Sequence, residues 1–127
     1  MNVIVVDGHT VVRTILCQLL ANELDIETVT GADSGQAALQ LLSNGLQANI
    51  IITGVNLPGM NGYDLTRKIV ALKQGPKVIV LTSLPKRMSC EMALEAGAKE
   101  CLSKDGNYAE LLAAVRKVHD CQYDYVS

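Results

Sequence analysis

Side chains able to do chemistry are few in this sequence, and those that stand out close apolar runs. Asp7 follows the run at 3–6, Thr82 closes the run at 78–82, and Lys104 follows the segment at 100–103. The run at 49–53 breaks into the loop "GVNLPGMNG" and then into a helical segment, which is how an α/β protein builds a site at the end of a strand. The residue standing there is Gly54, which has no side chain to react. Gly59 and Gly62, in the same loop, serve backbone turns, because neither a GxGxxG nor a P-loop pattern surrounds them. Cys17, Cys90, Cys101 and Cys121 lie far apart with no CxxC pair, which argues against a zinc site or a redox motif. Reduced thiols that pack in or near the core are expected instead. His9 is expected to cap or pack against the first helix rather than to catalyse.

These residues need elements to position them. The runs at 3–6, 49–53 and 78–82 are nearly continuous in Val and Ile, the pattern of central parallel strands covered on both faces. The segments "IETVT" at 26–30 and "ECLS" at 100–103 predict edge strands. Helical spacing fills the intervals. Val11, Val12, Ile15, Leu16, Leu19 and Leu20 share one face of a first helix, and Ala38, Leu41 and Leu42 mark a second, opened by Asp33 or Ser34. Leu65, Ile69 and Leu72 line a third, ended by Gly75-Pro76. Cys90, Ala93 and Leu94 give the core face of a fourth that stops at Gly97, with Met88 and Met92 on a different face. A fifth starts near Asn107, which has capping-box spacing to Glu110, and runs through Leu111, Leu112, Val115 and Val118. Five alternating units predict an α/β fold: a flavodoxin-like, doubly wound five-stranded parallel sheet of order 2-1-3-4-5 with five helices, since a barrel needs eight. Its switch point lies between strands one and three, at "VDGH" and "TGVN".

Composition limits the function. With 127 residues the chain has the size of one domain, and 49% hydrophobic and 19% charged residues at net charge −2 exclude disorder and a strongly basic nucleic-acid surface. There is no Trp or Phe to build a stacking platform for single strands. No apolar run reaches the roughly 20 residues that span a bilayer, and the opening "MNVIVVD" has no signal-peptide pattern. A cytoplasmic protein without membrane contact is expected. The cluster "PKRMS" at 85–89 reads as a solvated turn opening the fourth helix.

Four separated motifs agree in order, spacing and strand position. They are "VIVVDGHTVVR", "GVNLPGMNG", "VIVLTS" and "EAGAKECLSKD". With them the chain resembles, over essentially its whole length, the receiver domain of bacterial two-component response regulators. The Lys104-Asp105 pair and the ending "AAVRKV…YVS" look most like the branch with LuxR- or NarL-type DNA-binding domains. The resemblance implies a receiver at 1–120 and, at 121–127, the start of a linker to a DNA-binding domain not in this chain.

In that family an aspartate ending the third strand accepts a phosphoryl group, and two acids after the first strand help hold Mg²⁺. By position, Gly54 replaces the acceptor and Gly8 one of the acids, leaving Asp7 and the backbone carbonyl of Asn56. Mg²⁺ demands octahedral oxygen ligands, so metal binding is expected to be weak or absent and no cofactor is implied. The resemblance assigns Thr82 and Lys104 to phosphoryl oxygens; here Lys104 is expected to pair with Asp7, because a partly buried ammonium without a counter-charge is costly. Cys101 stands where the family usually has an aromatic that changes rotamer.

The expectation is therefore a non-enzymatic pseudo-receiver without catalytic residues. It would control a transcription-regulating output through protein contacts, as a homodimer or with a regulatory partner, and touch DNA only through another domain. Receivers of this kind often associate through the fourth helix, fifth strand and fifth helix, where Met88 and Met92 are candidate interface residues, or through the first and fifth helices. Alternatives are residual phosphoryl acceptance at Asp7, Ser83 or Thr53, and thiol-based sensing at Cys90 or Cys101.

Overall fold

The continuous Val/Ile runs become inner strands. In the computed structural model, which describes residues 1–83 and 86–120 and leaves out the side chains of 86–89, β1 (Asn2–Val6), β3 (Ile50–Gly54) and β4 (Lys77–Thr82) lie side by side. β2 (Thr28–Ala32) and β5 (Glu100–Ser103) form the edges of a wholly parallel sheet of order β2-β1-β3-β4-β5. Helices α1 (Thr10–Ala21), α2 (Gly35–Ser43), α3 (Gly62–Val70), α4 (Lys86–Ala96) and α5 (Tyr108–Asp120) make the crossovers. The flavodoxin-like arrangement expected from the alternating units is the one observed. Pro85, the other side chains of the "PKRMS" cluster, that of Met88 among them, and the expected linker at 121–127 lie outside the described residues.

Two apolar layers explain why the inner runs cannot alternate. Successive side chains of a strand point to opposite faces, and here both faces are covered. Ile4, Val6, Ile51, Val78, Val80 and Cys101 pack with Ala38 of α2, Leu65 and Ile69 of α3, and Ala93 and Ala96 of α4. Val3, Val5, Ile50, Ile52, Ile79 and Leu81 pack on the other face with Leu20 of α1 and Leu111, Val115 and Val118 of α5.

Local chemistry sets the helix starts. Ser34 Oγ accepts from the Ala37 N–H at 3.1 Å, deciding between the two cap candidates of α2. Asn61 Oδ1 caps α3 through Asp64 N–H at 2.8 Å, and Asn107 Oδ1 caps α5 through Glu110 N–H at 2.8 Å. At the far end of α4, Gly97 has φ +112, a conformation that favours glycine, so the helix stops where expected.

Four details differ from expectation. β2 begins at Thr28, two residues after the predicted start, because Ile26 N–H is held by Glu23 O before the strand begins. α3 ends at Val70, and Leu72 is exposed: the chain reverses through Gln74 at φ +57 so that Lys77 can enter β4. On α1 the core stripe is narrower, since Leu20 is buried and Leu16 and Cys17 pack beside it, whereas Val11 is 70% exposed and Ile15 and Leu19 also face outward. Leu94 is 53% exposed; Ala93 and Ala96, one turn apart, take the core face of α4.

Candidate functional site

The carboxyl edge of the sheet delivers two charged side chains to one place. Asp7 N–H donates to Ala32 O at 3.1 Å and Lys104 N–H to Thr82 O at 2.8 Å, so each residue extends its strand's ladder by one step. Lys104 Nζ then lies 2.8 Å from Asp7 Oδ2, with the Asp7 side chain 4% exposed and the Lys104 side chain 21%. The other carboxylate oxygen, Oδ1, accepts from His9 N–H at 2.8 Å and lies 3.2 Å from His9 Nδ1. His9 is the N-cap residue of α1, but its side chain turns to Asp7 instead of capping. Arg13 Nη1 donates to the Asp7 backbone carbonyl at 2.7 Å. Burial pushes the Asp7 carboxyl up, but the Lys104 ammonium and the His9 N–H outweigh it and hold the group below the usual carboxylate value. Asp7 is therefore an anion whose acceptors are engaged from both sides.

Gly54 stands directly beside this pair. A Cβ built on it would lie 3.5 Å from Asp7 Oδ2 and 3.8 Å from Lys104 Nζ, ordinary contact distances. The place could hold a side chain and has none. Gly8 is exposed, and the nearest neighbour of a Cβ there would be Pro58 Cδ at 3.4 Å. Asn56 is exposed in the loop after β3. Thr82 is buried and offers its carbonyl to Lys104 N–H. Buried Thr53 donates its hydroxyl to Gly54 O at 2.9 Å, so that hydroxyl is engaged with backbone. Ser83 is exposed.

The loop keeps its shape without that chemistry. A Cβ on Gly62 would collide with the Gly54 carbonyl oxygen, and Gly62 N–H donates to Val55 O at 2.8 Å, so the start of α3 presses on the end of β3. Gly59 turns the loop at φ +80. Both glycines serve backbone, as their sequence context indicates.

For a divalent cation the donor set does not fit. Among the described residues Asp7 is the one carboxylate beside Gly54, Lys104 and His9 already occupy its oxygens, and Gly8 and Gly54 supply no side-chain oxygen. Among the described residues no group of three or more His, Cys, Asp or Glu side chains could hold a metal.

The cysteines correct the sequence reading. Cys90 of α4 and Cys101 of β5 are joined in a disulfide, with Cα atoms 5.4 Å apart, instead of packing as separate reduced thiols. They stand eleven positions apart in sequence, and the α4–β5 turn folds that separation back on itself. A search for CxxC spacing could not find it, because the pairing is made by the crossover. Cys17 is free; burial pushes its thiol up, partly opposed by the Arg13 charge. Arg13 was also not legible as a site residue: only its place one turn into α1 brings it back to the end of β1.

Residues 3–116 match the family described as response regulator receiver domain. The response regulator GacA of Pseudomonas aeruginosa is 31% identical over 116 residues, covering 91% of this chain and 54% of that protein. Among solved structures, the signal receiver domain of an HD domain-containing protein from Pseudomonas fluorescens Pf-5 is 29% identical, with a TM-score of 0.86 and 97% of each chain covered. A DNA-binding response regulator of the LuxR family from Staphylococcus aureus, 24% identical with a TM-score of 0.85 over 94% of this chain and 98% of that one, shares the fold. The chain spans about half the length of the curated relatives it matches.

Proposed function

Since the chain belongs to the response regulator receiver domain family, we propose that it is a pseudo-receiver, a non-enzymatic signalling module that works without phosphorylation. One observation carries the reading: Gly54 occupies the end of β3 beside a closed Asp7–Lys104 ion pair. Glycine offers no oxygen for an acyl phosphate, and the neighbouring ammonium is neutralised by the neighbouring carboxylate. With no acceptor, the balance between conformations is set by sequence and by partners. The output is protein contact, as a homodimer or with a regulatory partner, directed at a transcription-regulating function. DNA would be reached through a domain of the kind carried by LuxR- or NarL-type regulators. The setting is cytoplasmic; among the described residues no helix is long and apolar enough to cross a membrane. Mg²⁺ has no role in this reading.

Residual phosphoryl acceptance is the weaker reading. Asp7 is held by Lys104 and His9, and the Thr53 hydroxyl is buried against Gly54 O. Phosphoryl transfer depends on placement, and these groups are placed for other partners.

The test is the intact mass of the chain after incubation with acetyl phosphate and Mg²⁺, beside a Gly54→Asp variant and a Gly8→Asp/Gly54→Asp variant as controls. The expected result is no phosphoryl mass on the native chain and a phosphoryl adduct on the double variant. An adduct on the native chain overturns the reading.

A further inference from the structure

Two sulfurs at the junction of α4 and β5 form a pair that the phosphate chemistry of the fold does not use. Cys90 lies in the first half of α4 and is partly exposed, whereas Cys101, opposite Val80 in the β4–β5 ladder, is 8% exposed. Both belong to the apolar layer on the α2–α3–α4 side of the sheet, so they face one another across a packed interface. Their Cα separation of 5.4 Å falls in the range that a disulfide spans without backbone movement. The crosslink ties α4 to β5, and three residues beyond Cys101 stands Lys104, whose ammonium closes the ion pair with Asp7.

We propose that Cys90 and Cys101 are a reversible dithiol–disulfide site, oxidised by a low-molecular-weight disulfide, that fastens or releases α4 on the sheet. The inference rests on the phosphate-independent, cytoplasmic module proposed above, since disulfides in the cytosol are usually transient and redox-sensing. Exposure assigns the roles. The Cys90 thiolate attacks one sulfur of the reagent, forming a mixed disulfide and expelling one thiolate. The Cys101 thiolate then attacks the Cys90 sulfur, forms the internal bond and expels the second. The protein loses two protons and two electrons, and the reagent disulfide gains them as two thiols. An excess of the same thiol runs both steps backwards. Cys17 takes no part: its thiol is held above its ordinary value by burial, and its sulfur lies near Arg13 and Gly31 on the other side of the sheet. The consequence falls on α4, whose outer side carries the exposed Met92 and Leu94. Oxidised, α4 is covalently held to an edge strand; reduced, it loses that crosslink and keeps its packing on the sheet.

The experiment equilibrates the chain in buffers of graded reduced-to-oxidised glutathione ratio, blocks free thiols by alkylation, and reads intact mass, peptide mapping and amide hydrogen exchange of α4. The expected result is a reversible loss of two hydrogen atoms mapped to Cys90–Cys101 with Cys17 alkylated throughout. Exchange in α4 should be about tenfold slower in the oxidised chain. Cys101→Ser should trap glutathione on Cys90, and Cys90→Ser should leave Cys101 far slower to react. The proposal is overturned by a crosslink that stays closed in reduced glutathione alone, by one that never forms, by glutathione resting on Cys90 of the native chain, or by identical α4 exchange in both states. A phosphoryl adduct in the acetyl phosphate assay would instead overturn the pseudo-receiver reading and leave the thiol result standing, so the two failures are distinguishable.

Discussion

At the scale of single residues the site is governed by one ion pair. Removing Lys104 leaves a carboxylate 4% exposed without its counter-charge, so Lys104→Met should cost about 3 kcal/mol at neutral pH, read from urea unfolding. Because the folded protein holds the Asp7 carboxyl below its usual value, the stabilisation exists above the unfolded-state value of about 4 and disappears as pH falls through the folded one. The difference between native and Lys104→Met chains should therefore close under acid conditions, and a gap that persists at low pH would assign the loss to packing of the lysine stem. Asp7→Asn combined with Lys104→Met should recover much of the loss, since neither charge is then buried alone. Partner binding should survive Lys104→Met. The pair was legible in the sequence, because Asp7 and Lys104 both follow strands and a buried ammonium needs an anion. The engagement of His9 and Arg13 with Asp7 was not, since it depends on how α1 leaves β1.

At the scale of elements, caps and close approaches decide stability. Ser34→Ala removes the acceptor for Ala37 N–H and should cost about 1 kcal/mol in thermal or urea unfolding. Gly62→Ala should cost more than Ser34→Ala, because the new methyl meets the Gly54 carbonyl and α3 must shift bodily; equal losses would mean that the loop yields easily. Element type and order followed from hydrophobic period alone, and the strands covered on both faces were the clearest. The errors fell where a helix covers the sheet only in part. On α1, Val11, Ile15 and Leu19 have core periodicity yet lie beside the buried stripe, and on α4 Leu94 yields the inward place to the smaller Ala93 and Ala96. Period shows that a helix is amphipathic; the neighbours decide which of two adjacent stripes is covered. The Cys90–Cys101 bond was illegible for a related reason, since it needs the register of β5 and the turn of α4 together.

At the scale of the whole molecule, the exposed apolar side chains include Met92 and Leu94 on α4 and Val11, Ile15 and Leu19 on α1. If the proposed homodimer forms through the α4 side, Met92→Asp should weaken self-association in sedimentation without lowering the unfolding midpoint; an effect of Ile15→Asp alone would place the interface on α1. Elsewhere α5 is tied to the segment between α1 and β2 and to the start of β4: Arg116 reaches Glu23 at 3.0 Å and Asp25 at 3.0 Å, while Lys77 Nζ donates to Val118 O at 3.1 Å. The Asp7–Lys104 pair, finally, sets the terms on which position 54 could carry a charge of its own. An aspartate placed at 54 would stand beside a carboxylate that already holds the Lys104 ammonium, and Gly8 brings no second acid to the pair. Like charges sharing one counter-ion disfavour each other's ionised form. A lone aspartate at 54 would thus ionise less readily than a free one, and a carboxylate placed there would compete with Asp7 for a single lysine.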